Sequence, residues 1–247
     1  MAPQYGTIMP DSLQALDTPR DGYVFIVTYG RSGSTLLQMV LNSIPGYCVR
    51  GENANALFHL AQAWAAIETA EPMRGARTSG APTGPDNPWF GAEATDPDRF
   101  GRALADLFVR DVLRLPPETR VGGFKEIRFH MAGAEVETYL DFVTRFFPNP
   151  RFVFNTRDHA ATARSGWWAQ LDPGAVKAEL AAAERVFDRM RAQLGDAALA
   201  LHYDDYADDP EALRPLFDFL GEPFERGRVA AVASRRLSHT GTRRGPA

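Results

Sequence analysis

Residues 23–41 read YVFIVTYGRSGSTLLQMVL, and their order decides the fold. Tyr23 to Thr28 is a near-continuous apolar run, the pattern of a strand buried on both faces of a sheet. A short polar turn holding Gly30 and Gly33 follows. Leu37, Val40, Leu41 and Ile44 then recur at helical spacing until Pro45-Gly46 stops the helix. Strand, glycine turn and helix together bring a helix N-terminus, with unpaired N–H groups and a partial positive charge, to the end of a strand. Such an end binds anions. Gly30 and Gly33 let the backbone approach a phosphate, Ser32, Ser34 and Thr35 add hydroxyls, and Arg31 adds an always-charged fork. The lysine-bearing loop GxxxxGK[ST] is not reproduced, because Ser34 follows Gly33 and the cation stands earlier, at Arg31. A plain glycine turn joining strand to helix is the alternative.

Working outward, Tyr47 to Arg50 reads as a short strand that delivers Gly51-Glu52-Asn53 to a loop. Val121 to Phe129, 151–156 and 198–203 read as further strands. Apolar stripes over Phe100–Leu115, Val136–Phe147, 176–194 and 209–221 read as helices, the last with an irregular first turn because of Pro215. This alternation predicts an α/β protein, a three-layer, P-loop-like fold whose central, mostly parallel sheet is flanked by helices. One domain over residues 1–247 is expected, with 1–21 as an N-terminal arm. Ligands of such sheets sit at the carboxyl ends of the strands, so the loops after Thr28, Phe124 and Asn155 are where a site is expected. Residues 68–98, rich in Gly, Pro, Ala and Asp, predict a long structureless loop, either part of a substrate mouth or a plain insertion.

Composition narrows the partners. The formal charge is −4 and the pI about 5.8, which argues against a nucleic-acid polymer. Cys48 is the only cysteine, so no internal disulfide forms. The N-terminus lacks a signal-peptide pattern and no apolar run approaches ~20 residues, so a soluble, cytoplasmic protein without a membrane span is expected. Scattered histidines and one cysteine predict no metal site, and no nucleophile elbow is present. Oligomeric state is not readable.

The stretch YVFIVTYGRSGSTLL resembles the 5′-phosphosulfate loop of sulfotransferases that use 3′-phosphoadenosine 5′-phosphosulfate (PAPS). That resemblance implies that Arg31, Ser32, Gly33, Ser34 and Thr35 hold the 5′-phosphate and sulfuryl group. A second segment, RFVFNTRDHAATARSGWW (151–168), resembles the family's 3′-phosphate arm, with Arg157 and Ser165 matching its arginine and serine. Along a straight helix those two would lie ~12 Å apart, so a loop curling into a helix start is needed to bring them to one anion; Arg164 adds charge. A surface arginine and a helix serine is the other reading. LALHYDDYADDP (199–210) resembles a further family segment in which Tyr203 lies against the adenine, although a core tyrosine reads equally well. Arg243 and Arg244, in the closing SHTGTRRGPA, loosely resemble an arginine-rich 3′-phosphate loop or form a basic tail.

Glu52, in VRGENANAL, resembles the glutamate base of tyrosylprotein and bacterial carbohydrate sulfotransferases, and a surface loop acid is its alternative. Cytosolic small-molecule sulfotransferases use a histidine, for which only His130 is available. Lys125, in VGGFKEIRF, either neutralises the leaving oxygen alongside Arg31 or forms an ordinary Lys–Glu surface salt bridge, while Glu126 and Arg128 either pair structurally or contact substrate. The expected activity is therefore sulfuryl transfer from PAPS to a small-molecule, carbohydrate or peptide hydroxyl, leaving adenosine 3′,5′-bisphosphate and needing no metal. The alternatives are a P-loop kinase of a small hydroxylated substrate, kept open by Asp158 and Asp204, and a non-catalytic nucleotide-binding module. Trp167, Trp168, Trp89 and Phe90 stack on a sugar face or serve packing.

Overall fold

The computed structural model describes residues 15–234. Five strands, β1 (Gly22–Thr28), β2 (Tyr47–Arg50), β3 (Val121–Glu126), β4 (Pro150–Thr156) and β5 (Ala198–His202), form one sheet in the order β2-β3-β1-β4-β5. Every pairing is parallel. β1 is central and all seven of its residues are buried, as its unbroken apolar run requires.

Alternation along β1 builds two cores. Tyr23, Phe25 and Val27 face a large aromatic cluster with α2 (Ala56–Thr69), α4 (Pro97–Leu107), α5 (Val136–Phe146) and α7 (Pro173–Leu194). Val24 and Ile26 face a second cluster with α1 (Ser34–Leu41), α9 (Arg214–Leu220) and α10 (Arg226–Ala233). Each fully buried aromatic ring stabilises the fold by roughly 1.5–3 kcal/mol. Gly123 lets β3 lie against β1, since a Cβ there would stand 1.8 Å from the Val24 carbonyl oxygen.

This layering positions the site. The chain leaves β1 towards one face, into α1, whereas it leaves the neighbouring β3 and β4 towards the opposite face. A crevice opens where connections diverge in this way, at the carboxyl end of the central strand.

Several elements depart from expectation. β3 stops at Glu126, not Phe129, because the Glu126 carboxylate accepts the next backbone N–H, that of Ile127, at 2.8 Å. Helix α2 was not assigned from sequence, although Leu57, Ala61 and Trp64 repeat at helical spacing and are buried. Residues 68–98 are not structureless: α3 (Glu71–Ser79) lies within them, with no buried residue, and Arg77 ties it back to the carbonyls of Ile67 and Glu68. The helix expected from Phe100 starts at Pro97 and turns π-helical over Phe108–Leu113. Over 209–221 the first turn is a 3-10 turn, Pro210–Leu213, and Pro215 sits in the first turn of α9.

Candidate active site

The turn after β1 is held in a conformation that side chains elsewhere must enforce. Gly33 adopts φ 79° as the residue before α1 and tolerates the Tyr203 ring, which a Cβ would meet at 2.0 Å. Arg31 is left-handed too, at φ 67°, a conformation that disfavours a side-chain-bearing residue. Three contacts keep it there. Its carbonyl accepts from Arg157 Nη1 at 3.1 Å, its Nε donates to Ser165 Oγ at 3.1 Å, and its guanidinium lies 5.9 Å from the Trp167 ring centroid. Arg31 is thus where the turn after β1 meets the arm after β4.

That arm curls as the anion argument requires. β4 ends in a loop, α6 (His159–Ala163) makes little more than one turn, and a 3-10 turn follows from Gly166 to Gln170. Trp168 is buried there and its Nε1 donates to the Gly30 carbonyl at 3.0 Å, whereas Trp167 is 49% exposed beside Arg31. Tyr29 braces the base of the arm. Its hydroxyl accepts the Arg157 N–H at 2.8 Å and contacts Glu184 Oε1 at 2.8 Å. Burial pushes the Tyr29 hydroxyl far above the ordinary tyrosine range, so it stays protonated.

A cavity of about 200 Å³ lies over this turn. Arg31, Ser34 and Thr35 line it from one side, Glu52 and Lys125 from a second, and Arg157, Trp167 and Tyr203 from a third. No carboxylate lies within ion-pair distance of Arg31 among the described residues, and Arg157 Nε is buried without a hydrogen-bond partner. Its guanidinium also pairs with Asp204 Oδ1 at 3.8 Å and stacks 4.7 Å over the Tyr203 ring. Arg31, with no carboxylate partner, and Arg157, with that one long contact, lie beside a helix N-terminus, an arrangement suited to an anion.

At the other wall, Lys125 Nζ donates to Glu52 Oε1 at 2.7 Å and Arg128 Nη1 to Glu52 Oε2 at 3.2 Å. The loop carrying Glu52 is anchored by Glu126, which is fully buried. Glu126 Oε2 accepts the backbone N–H groups of Asn53 (3.0 Å) and Asn55 (2.9 Å), and Oε1 accepts from Ile127 and, at 2.9 Å, Arg128 Nη1. The loop needs that anchor because Ala54 and Asn55 are both left-handed, at φ 56° and 60°.

A model of the sulfotransferase family matches residues 23–226. The chain belongs to the sulfotransferase family. Two solved sulfotransferase domains share its fold. One, from the olefin synthase of Synechococcus PCC 7002, is 22% identical over 89% of this chain and 80% of that one, with a TM-score of 0.54. The other, from the curacin biosynthetic pathway, is 20% identical over 84% and 76%, with a TM-score of 0.51. No curated protein sequence matches the chain.

Within this sulfotransferase, the expected residues gather, with exceptions. Arg31, Gly33, Ser34, Thr35, Glu52, Lys125, Arg157 and Tyr203 share the one cavity, and Ser165 joins through Arg31. Ser32 points the other way. It is fully buried and its Oγ lies 2.6 Å from Thr28 Oγ1, so its hydroxyl shapes the turn and does not face the cavity. Lys125 pairs with Glu52, while Glu126 and Arg128 pair with each other. Tyr203 opens α8 (Tyr203–Tyr206) and does not end β5. His130 lies outside the cavity lining with its edge towards Phe187, and burial lowers its pKa. Residues 68–98 contribute nothing to that lining. Arg243 and Arg244 fall outside the described residues.

Two residues that shape the site had their contacts only partly read from sequence. Glu126 was expected to pair with Arg128 or contact substrate, and the pairing is present, but its hold on the glutamate loop was not foreseen. Asn155 ties the arms together through Nδ2 to the Ser32 carbonyl (3.0 Å) and Oδ1 from the Tyr206 hydroxyl (2.6 Å). The aspartates that kept a kinase reading open are engaged: Asp158 caps α6, and Asp204 accepts the Asp158 N–H at 2.9 Å. No helix among the described residues is long and apolar enough to cross a membrane.

Proposed function

We propose that this sulfotransferase moves the sulfuryl group of PAPS to a hydroxyl of a small-molecule, carbohydrate or peptide acceptor in the cytoplasm, leaving adenosine 3′,5′-bisphosphate. The observation that carries the reading is the Glu52–Lys125 pair on the wall opposite Arg31 in one cavity. Bound PAPS supplies an activated sulfur and a phosphate leaving group. Arg31 and the N–H groups of the first turn of α1 hold the 5′-phosphate, with the Ser34 and Thr35 hydroxyls beside them. Arg157 and Ser165 hold the 3′-phosphate, and Tyr203 stands nearest the base.

Glu52 accepts the proton of the acceptor hydroxyl as that oxygen bonds to sulfur and the sulfur–oxygen bond to phosphate breaks. Lys125 has two roles that follow one another. It orients the Glu52 carboxylate beforehand. When the proton arrives, Glu52 loses its charge, and the ammonium is released to neutralise the departing phosphate oxygen together with Arg31. Positioning and charge carry the transfer, as in phosphoryl transfer.

The test is calorimetric titration with adenosine 3′,5′-bisphosphate against ATP with magnesium. Tight binding of the bisphosphate with little ATP binding is expected. Preference for Mg-ATP overturns the donor assignment.

A further inference from the structure

A second and larger cavity, about 530 Å³, adjoins the first, and Glu52 lines both. Its volume falls in the range that encloses a small organic molecule. Val112 and Leu113 give it an apolar floor, while Arg50 and Arg114 stand on its walls. Arg50 closes β2, two residues before Glu52, and its guanidinium is fixed by two carbonyls of the π-helical turn. Nε donates to Leu113 O at 2.9 Å and Nη2 to Arg114 O at 2.7 Å. Those contacts use two of the five N–H donors of the fork, leaving three for another acceptor. Arg114 is held left-handed at φ 48° as its N–H donates to the Val109 carbonyl at 2.8 Å.

Neither arginine has a carboxylate within ion-pair distance among the described residues, in contrast to the paired Arg102, Arg120, Arg128 and Arg145. The one acid on this cavity, Glu52, is already shared between Lys125 and Arg128. Asp111 feels Arg114 only at longer range and is itself bonded to Arg110, so in a chain of net charge −4 the wall beside Glu52 carries two arginines without a direct carboxylate partner. Guanidinium forks in that state recognise carboxylate, phosphate or sulfate oxygens.

Resting on the transfer reading above, we propose that this cavity is the acceptor subsite and that it selects a hydroxylated molecule bearing an anionic group. Arg50 and Arg114 bind that group, and the apolar floor takes the carbon skeleton. The hydroxyl then reaches Glu52, which stands between acceptor and donor cavities. Arg50 and Arg114 are specificity residues and take no part in moving the proton or the sulfuryl group.

The experiment uses the full chain saturated with adenosine 3′,5′-bisphosphate, so that the donor cradle is filled, and repeats each titration without it. Three matched pairs are titrated: glucuronate against glucose, 4-hydroxyphenylacetate against 4-hydroxyphenylethanol, and glycerol 3-phosphate against glycerol. At least one anionic member is expected to bind about tenfold or more tighter than its neutral partner. R114Q should abolish that preference and R114K retain most of it, with bisphosphate affinity within about twofold of the parent in both. R50Q should also abolish the preference, and R114Q keeps the proposal testable if loss of the Arg50 carbonyl contacts unfolds the turn. Equal affinity within all three pairs, no measurable anion binding, or a preference that survives R114Q overturns the proposal. Absence of bisphosphate binding with the anion preference intact removes the donor reading and leaves the subsite standing.

Discussion

Replacing Glu126 by Gln keeps shape and volume and changes only what two oxygens can accept. In the parent, Oε2 takes the N–H groups of Asn53 and Asn55, and Oε1 takes Ile127 N–H and Arg128 Nη1. Whichever way the new amide turns, its NH₂ faces two donors. Each buried donor left unsatisfied costs about 1–3 kcal/mol. The substitution should therefore destabilise by roughly 2–6 kcal/mol with the NH₂ at the Oε2 position and about 1–3 kcal/mol at the Oε1 position, where Arg128 is 37% exposed. A typical domain has about 5–15 kcal/mol in total, so most of the chain should remain folded. The damage should be local: with the NH₂ at the Oε2 position, the left-handed pair Ala54 and Asn55 relaxes once the Asn53 and Asn55 amides are released. Urea denaturation reads the global cost, and hydrogen exchange at the amides of Asn53 and Asn55 reads the local one. Misplacing Glu52 by about 1 Å should lower turnover on the order of 10²-fold. Binding of adenosine 3′,5′-bisphosphate should change little, since Glu126 does not line the donor cavity. If E126Q keeps its stability within about 0.5 kcal/mol and both amides stay protected, Glu126 does not anchor the loop and the reasoning fails.

Glu52→Gln should bind adenosine 3′,5′-bisphosphate nearly as the parent does while turnover falls by about 10²–10⁴-fold, the usual contribution of a general base; transfer at the parent rate removes the base assignment. Arg157→Ala should weaken adenosine 3′,5′-bisphosphate far more than adenosine 5′-monophosphate in parallel titrations, and equal losses would move Arg157 out of the 3′-phosphate site. Burial lowers the His130 pKa below its ordinary value near ~6.5, so the unfolded chain takes up that proton more readily than the folded one. Stability is therefore present above ~6.5 and declines as pH falls from there through the folded value. His130→Phe should flatten that decline in urea titrations at about pH 7.5 and 5.5, and an unchanged slope would exclude His130 as its source.

Much of the fold was legible because parallel, doubly covered strands leave unbroken apolar runs. Tyr23–Thr28 and 151–156 fall on β1 and β4 almost residue for residue. Helix α3 left no comparable trace, because it buries nothing and is held by Arg77 to backbone carbonyls. At the site, motif spacing announced which residues gather and stayed silent on where each side chain points. Ser32 and Ser34 look alike in RSGS, yet the Ser32 hydroxyl turns inward to Thr28 while Ser34 lines the cavity. The left-handed Arg31 and Gly33 decide that difference, and backbone angles do not appear in a string of letters. For Glu126 the sequence suggested only the Arg128 partner; its other partners are backbone amides, which every sequence has.

The contacts that finish the site span long stretches of chain, and that orders events during synthesis. Asn53 waits for Glu126, 73 residues later, and Arg31 waits for Ser165, 134 residues later. Non-local contacts form only after the entropy of closing the intervening loop has been met. A nascent chain that has emerged through α2 already holds the RSGST turn and Glu52, but neither is set. The glutamate loop is fastened when β3 slides in between β2 and β1, and the arginine of the first turn settles only after β4 has docked on the far side. Catalytic competence thus arrives late and from both flanks of the central strand, so a chain stalled on the ribosome before its fourth strand carries the first motif of the family without its chemistry.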